Sequence, residues 1–308
     1  DMKSTERHSS NGRATSFFGR IYGHYWTVVP HLVGRIKHGP SGETQPWITS
    51  FTDPSMGEIR ASGIYHPHPD ARTLAIVVHG LGSDPSADYV VHTAKELLGK
   101  NIAVLRFSMR GADGQAPDFY NAQLTADLKA AIRSPLFSHF ERIVIIGFSL
   151  GGHVSLWLGT ELEHPKVHGV IAVCPPLDLA GCQRALDNPR INFYRTHVLA
   201  GLRETVREAA VRATEMGRTL PIPHDQLDEI RTIRAWDEQV IVPRFGYADV
   251  DDYYARASVG PHLTQLKCPT LIIAAERDPM VPIETLTPFL TETPADVRIT
   301  SQGAHVGF

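Results

Sequence analysis

Gly147-Phe148-Ser149-Leu150-Gly151 is the stretch of this sequence best equipped for covalent chemistry. It is a G-x-S-x-G pattern that directly follows the apolar run Ile143-Val144-Ile145-Ile146. Val154, Trp157 and Leu158 then recur at helical spacing. A strand running straight into a helix forces the residue between them into a tight, strained turn. Glycine suits positions 147 and 151, because a Cβ there would collide with neighbouring backbone. The serine is left projecting at a helix N-terminus. There the helix dipole and the Leu150 N–H favour an oxygen that is gaining negative charge.

A serine hydroxyl is a weak nucleophile until a base takes its proton. The sequence holds 16 histidines, so position must choose among them. His305 follows the last predicted strand in Gln302-Gly303-Ala304-His305-Val306-Gly307-Phe308, and its small neighbours let the ring swing back over the sheet edge. His153 is the main competitor. It lies four residues after Ser149 on the same helix and faces away from the oxyanion side. The acid that orients the imidazole is expected at Asp278, after the strand Thr270-Leu271-Ile272-Ile273-Ala274-Ala275, with Pro279 discouraging a helix there. Glu276 stays open as an alternative acid. The chain order Ser149, Asp278, His305 suits this arrangement.

A second oxyanion donor is expected in the loop His79-Gly80-Leu81-Gly82-Ser83-Asp84, with Leu81 supplying the N–H and His79 bracing the loop. Neither G-x-G-x-x-G nor a Lys-Ser/Thr pair follows, which argues against a nucleotide-phosphate loop. His66-Pro67-His68-Pro69 has metal-ligand residue types, but its prolines favour a hairpin or loop. No metal or cofactor is expected.

The elements that must position these residues alternate. Strands are predicted at Trp47–Thr52, Glu58–Tyr65, Thr73–Val78, Ile102–Phe107, Arg142–Ile146, Val167–Cys174, Thr270–Ala275 and Asp296–Thr300. Helices are predicted over 86–99, over 121–133 and after Ser149. The β-α-β-α rhythm implies an α/β fold with a mostly parallel sheet and helices on both faces. It stops over 177–265, where Leu202, Val206, Ala209, Ala210 and Ala213 mark an amphipathic helix and shorter helices are expected near 225–237 and 250–257. The expected organisation is an N-terminal extension (1–45), a core (46–176 and 266–308) and a helical lid inserted before the last strands (177–265). Such an insertion lies over the C-terminal edge of the sheet, where open α/β folds bind ligands. Phe148, Phe193, Tyr194, Trp236, Phe245, Tyr253 and Tyr254 are the candidate walls of an apolar pocket.

Composition narrows the remaining classes. With 30 Lys+Arg against 33 Asp+Glu, the net charge of -3 offers nothing to hold a polyphosphate, so nucleic acid is not an expected partner. Cys174, Cys182 and Cys268 form neither a disulfide framework nor a C-x-x-C zinc pair, which fits a reducing compartment. No run of 18 apolar residues is present. Phe18, Ile21, Tyr22 and Tyr25 predict an aromatic helix within 17–36. With Arg20, Arg35 and Lys37 nearby, that segment is also a candidate peripheral membrane contact. The expected location is the cytoplasm, with membrane association through that segment.

Beyond the serine, aspartate and histidine, the chain resembles the α/β-hydrolase superfamily, and within it the YheT-like family of esterases and acyltransferases related to the ABHD proteins. The resemblance rests on His79-Gly80-Leu81, Arg110-Gly111-Ala112-Asp113-Gly114 and Gly147–Gly152. It also rests on Trp236-Asp237, Phe245-Gly246-Tyr247, Asp252-Tyr253-Tyr254, Cys268-Pro269-Thr270-Leu271 and His305-Val306-Gly307-Phe308. It implies hydrolysis or transfer of acyl groups from short-chain to lipid-like esters, with a small-molecule ester as partner. Thioesterase activity, or an inactive ligand-binding member, are the alternatives. The His79 loop lacks the Gly-Gly-Gly used for bulky tertiary esters. Such folds carry a further helix after the histidine, so a truncated final helix is expected.

Overall fold

The computed structural model describes residues 43–307. The aromatic helix and membrane contact expected at 17–36 lie outside the described residues. The strands are β1 (Gln45–Asp53), β2 (Gly57–His66), β3 (Thr73–Val78), β4 (Ala103–Ser108), β5 (Arg142–Phe148), β6 (Val167–Val173), β7 (Thr270–Ala275) and β8 (Asp296–Thr300). They form one sheet in the order β1-β2-β4-β3-β5-β6-β7-β8. The β1–β2 and β2–β4 pairs are antiparallel, and every pair from β4–β3 to β7–β8 is parallel.

Sequence explains the layering. β3 is apolar along almost its whole length because helices cover both of its faces. Leu74, Ile76 and Val78 enter one core, while Ala75 and Val77 enter a second core on the opposite face. Helix α1 (Asp88–Leu98) covers the second face with Val90 and Ala94. Helices α2 (Ala126–Ile132) and α3 (Leu150–Glu161) contribute to the first core. α2 is shorter at its start than the expected span of 121–133. Residues 121–125 are instead held as a turn: Asn121 Oδ1 accepts the Gln123 N–H at 2.7 Å, and the Ala122 N–H donates to the Tyr253 hydroxyl at 3.2 Å.

Between β6 and β7 the chain is helical. α4 (Leu179–Leu186), the long α5 (Asn192–Glu215) and α6 (Val250–Ala257) dominate. The helix expected near 225–237 is broken into short turns followed by a π-helical turn at Asp237–Ile241. A buried ionic network ties this region to the sheet. Arg110 meets Asp53, Asp118 and Asp127 at 2.9 Å, and Arg244 meets Asp118 at 2.7 Å. Burial opposes ionisation of Asp53, but Ser55 and Arg110 overcome it and hold its pKa at about 2. For Asp127 burial wins, and its carboxyl is raised despite Arg110.

Candidate active site

Ser149 occupies the turn between β5 and α3 with φ 51° and ψ -121°, a left-handed conformation unusual for a residue with a side chain. Its N–H donates to the Val173 carbonyl at 2.8 Å. The glycines that flank it are sterically required. A Cβ on Gly147 would stand 2.2 Å from the Gly151 carbonyl oxygen, and one on Gly151 would stand 2.3 Å from that of His79. Packing therefore holds the strained turn that presents the hydroxyl.

Asp278 and His305 arrive from the loops after β7 and β8. The Ser149 hydroxyl lies 3.0 Å from His305 Nε2, and His305 Nδ1 lies 2.7 Å from Asp278 Oδ2. With Nδ1–H donating to the carboxylate, Nε2 is free to accept the serine proton. The other carboxylate oxygen, Oδ1, accepts the Met280 and Val281 N–H groups at 2.8 and 2.9 Å. His305 sits in a tight turn closed by an Ala304–Gly307 bridge, with Val306 at φ 47°. Glu276, the alternative acid, is exposed at the sheet edge.

The competing histidines are committed elsewhere. His153 is fully buried, with ring nitrogens 2.7 Å from the Pro176 and Ala257 carbonyl oxygens, so it pins α3 to the chain before α4 and to the end of α6. His79 donates from Nδ1 to the Gly80 carbonyl at 2.9 Å and accepts the Met109 N–H on Nε2 at 3.1 Å. Burial pushes both pKa values down to about 4, and a neutral His153 donates to one of its two carbonyls only. His66 accepts from Arg106 at 2.9 Å, and His68 accepts the Asp70 N–H at 3.3 Å.

Ser149, Leu150, Leu81 and His305 line a cavity of about 760 Å³. Leu150 is the first residue of α3, so its N–H has no partner within the helix. Of the aromatic residues expected as walls, Phe193, Tyr194, Trp236, Tyr253 and Tyr254 line the cavity. Phe148 and Phe245 do not. Phe148 points through the sheet to the α1 side, where it packs 5.0 Å from Tyr89. Phe245 stands edge-on to Phe119 at 5.6 Å and lies beneath Arg244. Leu179, Leu186, Val198, Leu202 and Ile241 complete a mostly apolar wall. Asp237 interrupts it. Burial raises its carboxyl to about 7, although the Tyr254 hydroxyl donates to it at 2.7 Å.

Cys174 was not singled out as a site residue from the sequence. It is fully buried at φ 49°, with Sγ, Asp278 and His305 donor atoms all within 4.8 Å of one another. Burial, then the Asp278 charge, hold its thiol protonated. With Asp278 and His305 bonded to each other, this is a backing contact rather than an open ligand set. Nothing in its spacing signals that role, which depends on β6 and β7 lying side by side.

A family model described as the alpha/beta hydrolase family matches residues 75–308. A monoacylglycerol lipase of Saccharomyces cerevisiae is 27% identical over 249 residues, 78% of this chain and 55% of that protein. The Escherichia coli (strain K12) protein YheT, which carries an esterase name, is 26% identical over 294 residues, 92% of this chain and 84% of its own length. A phospholipase ABHD3 of Mus musculus is 25% identical over 258 residues, 79% of this chain and 60% of that protein. The chain thus spans little more than half the length of some curated relatives. Among solved structures, the Pyrococcus furiosus esterase Pf2001 superposes with a TM-score of 0.55 at 18% identity, covering 86% of this chain and 85% of its own. That likeness concerns the fold. These relatives agree with the YheT-like resemblance of the sequence.

Proposed function

The chain belongs to the alpha/beta hydrolase family, and from that premise we propose that it hydrolyses carboxylic esters through an acyl-enzyme on Ser149. The observation that carries this reading is the continuous relay of Ser149 hydroxyl, His305 and Asp278 at 3.0 and 2.7 Å. Ser149 Oγ bonds to the ester carbonyl carbon as its proton passes to His305 Nε2. Asp278 steadies the imidazolium. The carbonyl oxygen becomes an oxyanion that the Leu81 and Leu150 N–H groups receive, each contributing on the order of 3 kcal/mol. The tetrahedral adduct collapses, the alcohol leaves with the proton from His305, and the acyl group stays on Ser149. Water then bonds to the acyl carbon as its proton passes to His305, the bond to Ser149 Oγ breaks to release the acid, and His305 returns the proton to Ser149.

The apolar cavity supports short to medium acyl chains or lipid-like esters as substrates. The names of the yeast and mouse relatives point to glyceride and phospholipid esters as the first to try. Acyl transfer uses the same relay with an alcohol in place of water, and a thioester presents the same carbonyl.

A fluorophosphonate probe and a panel of p-nitrophenyl esters of increasing acyl length test the proposal. The wild type should label and turn over, with a rate that depends on chain length, and Ser149→Ala should do neither while staying folded. Ester turnover retained by purified Ser149→Ala would sink the mechanism. A flat response to chain length would sink the shaped acyl pocket. Product analysis with an added alcohol separates hydrolysis from transfer.

A further inference from the structure

The loop after β3 presses against the serine. A Cβ on Gly80 would stand 3.2 Å from the Ser149 Cβ and 3.3 Å from the Tyr89 hydroxyl. Two tyrosines from different elements grip this loop. The Gly80 N–H donates to the Tyr89 hydroxyl at 2.9 Å, and the Gly82 N–H donates to the Tyr120 hydroxyl at 2.8 Å. The Ser83 N–H turns back onto the Gly80 carbonyl at 3.3 Å. Among the described residues, the Leu81 N–H between these bonds meets no acceptor. Tyr89 also donates to Ser83 Oγ at 3.2 Å, and burial raises both phenols, so the hydroxyls stay neutral.

A glycine-rich loop has little to hold its peptide planes. An amide that loses its acceptor turns toward another, since an unpaired buried N–H is costly. Rotation of either plane beside Leu81 would move the Leu81 N–H as well. We propose that Tyr89 and Tyr120 are positioning residues for the oxyanion hole: their hydroxyls engage the amides on either side, leaving the Leu81 N–H free for the oxygen that turns negative when Ser149 attacks. The inference rests on the ester mechanism above and adds two residues to it. Neither tyrosine touches the reacting atoms. The lid supports the same loop from the other side, where a Cβ on Gly82 would lie 2.5 Å from the Val198 carbonyl oxygen.

Tyr89→Phe, Tyr120→Phe and the double variant remove the acceptor oxygens and keep the rings, which pack on Phe148 and His79. Tyr247→Phe, whose hydroxyl faces Gln123, is the control. The measurements are kcat and KM on a p-nitrophenyl ester, the thermal midpoint, and inhibition by a trifluoromethyl ketone, which forms an oxyanion adduct with the serine. The double variant should lose roughly 10- to 100-fold in kcat with KM nearly unchanged. The ketone's inhibition constant should rise in parallel, and Tyr247→Phe should change neither. A double variant within about threefold of wild-type kcat overturns the proposal. So does a fall in kcat with ketone affinity intact, or loss of the folded state in both single variants. A wild type that neither labels with fluorophosphonate nor cleaves esters removes the serine mechanism itself. An active wild type with indifferent variants removes the positioning role alone.

Discussion

Gly82 of the loop after β3 and Gly201 of helix α5 meet backbone to backbone. A Cβ on Gly201 would stand 2.0 Å from the Gly82 carbonyl oxygen. Helix α5 is thus seated directly on the segment that carries Leu81. Gly201→Ala forces one of the two to move, and such overpacking costs about 1–3 kcal/mol. The expected result is a lower thermal midpoint together with a fall in kcat that exceeds any change in KM. Wild-type values of both in the purified variant would show that the contact is slack.

Asp278 divides its carboxylate between His305 on Oδ2 and two backbone N–H groups on Oδ1. An amide cannot accept on both sides, so Asp278→Asn leaves His305 with the wrong tautomer or Met280 and Val281 without an acceptor. Turnover should fall about 10⁴-fold. Glu276→Gln should leave it unchanged, because Glu276 is exposed. Steady-state kinetics on one ester measure both, and equal losses would reopen the choice of acid.

Asp118 is fully buried and receives both Arg110 and Arg244. Asp118→Asn removes the charge between them and leaves Arg244, which comes from the helical region between β6 and β7, without its carboxylate. Breaking a buried pair in this way costs about 3–5 kcal/mol. Denaturant unfolding should read that loss. A change below about 1 kcal/mol would place the pair among those worth no more than surface bridges.

Acid should destabilise the fold. Burial lowers His66, His79 and His153 to about 4, so the unfolded chain binds protons near 6.5 that the folded chain refuses. Their contribution is complete above about pH 6.5 and is lost as pH falls toward 4, at up to roughly 3 kcal/mol each. Asp237, raised to about 7, and Asp127, which burial also raises, work in the opposite sense, so the expected fall is the excess of the three histidines over these two carboxyls. The denaturant midpoint should therefore drop between pH 7 and pH 4. A flat or rising profile would show that these rings are hydrated or charged in the native state.

Much of the sheet was legible because its signals are local. The apolar runs at 73–78, 142–146 and 270–275 are buried strands by composition alone, and each became one. The turn at Ser149 was legible because a strand, two glycines and a helix signal stand in immediate succession. Phe148 and Phe245 were misread as cavity walls for a common reason. Aromatic character says that a residue will be buried, but not on which face of the sheet or against which helix.

The sequence by itself determined which residue types stand at the ends of the strands, and so which side chains are available to make a hydroxyl reactive. That information lies in hydrophobic periodicity and in glycines within a few residues of the serine. Only the tertiary structure decided the partners of those groups. Tyr120 on the Leu81 loop, Cys174 behind Asp278, Gly201 against Gly82 and Arg244 on Asp118 join positions far apart in the chain. No local pattern encodes such contacts, because they depend on strand order and on where the helices between β6 and β7 come to rest.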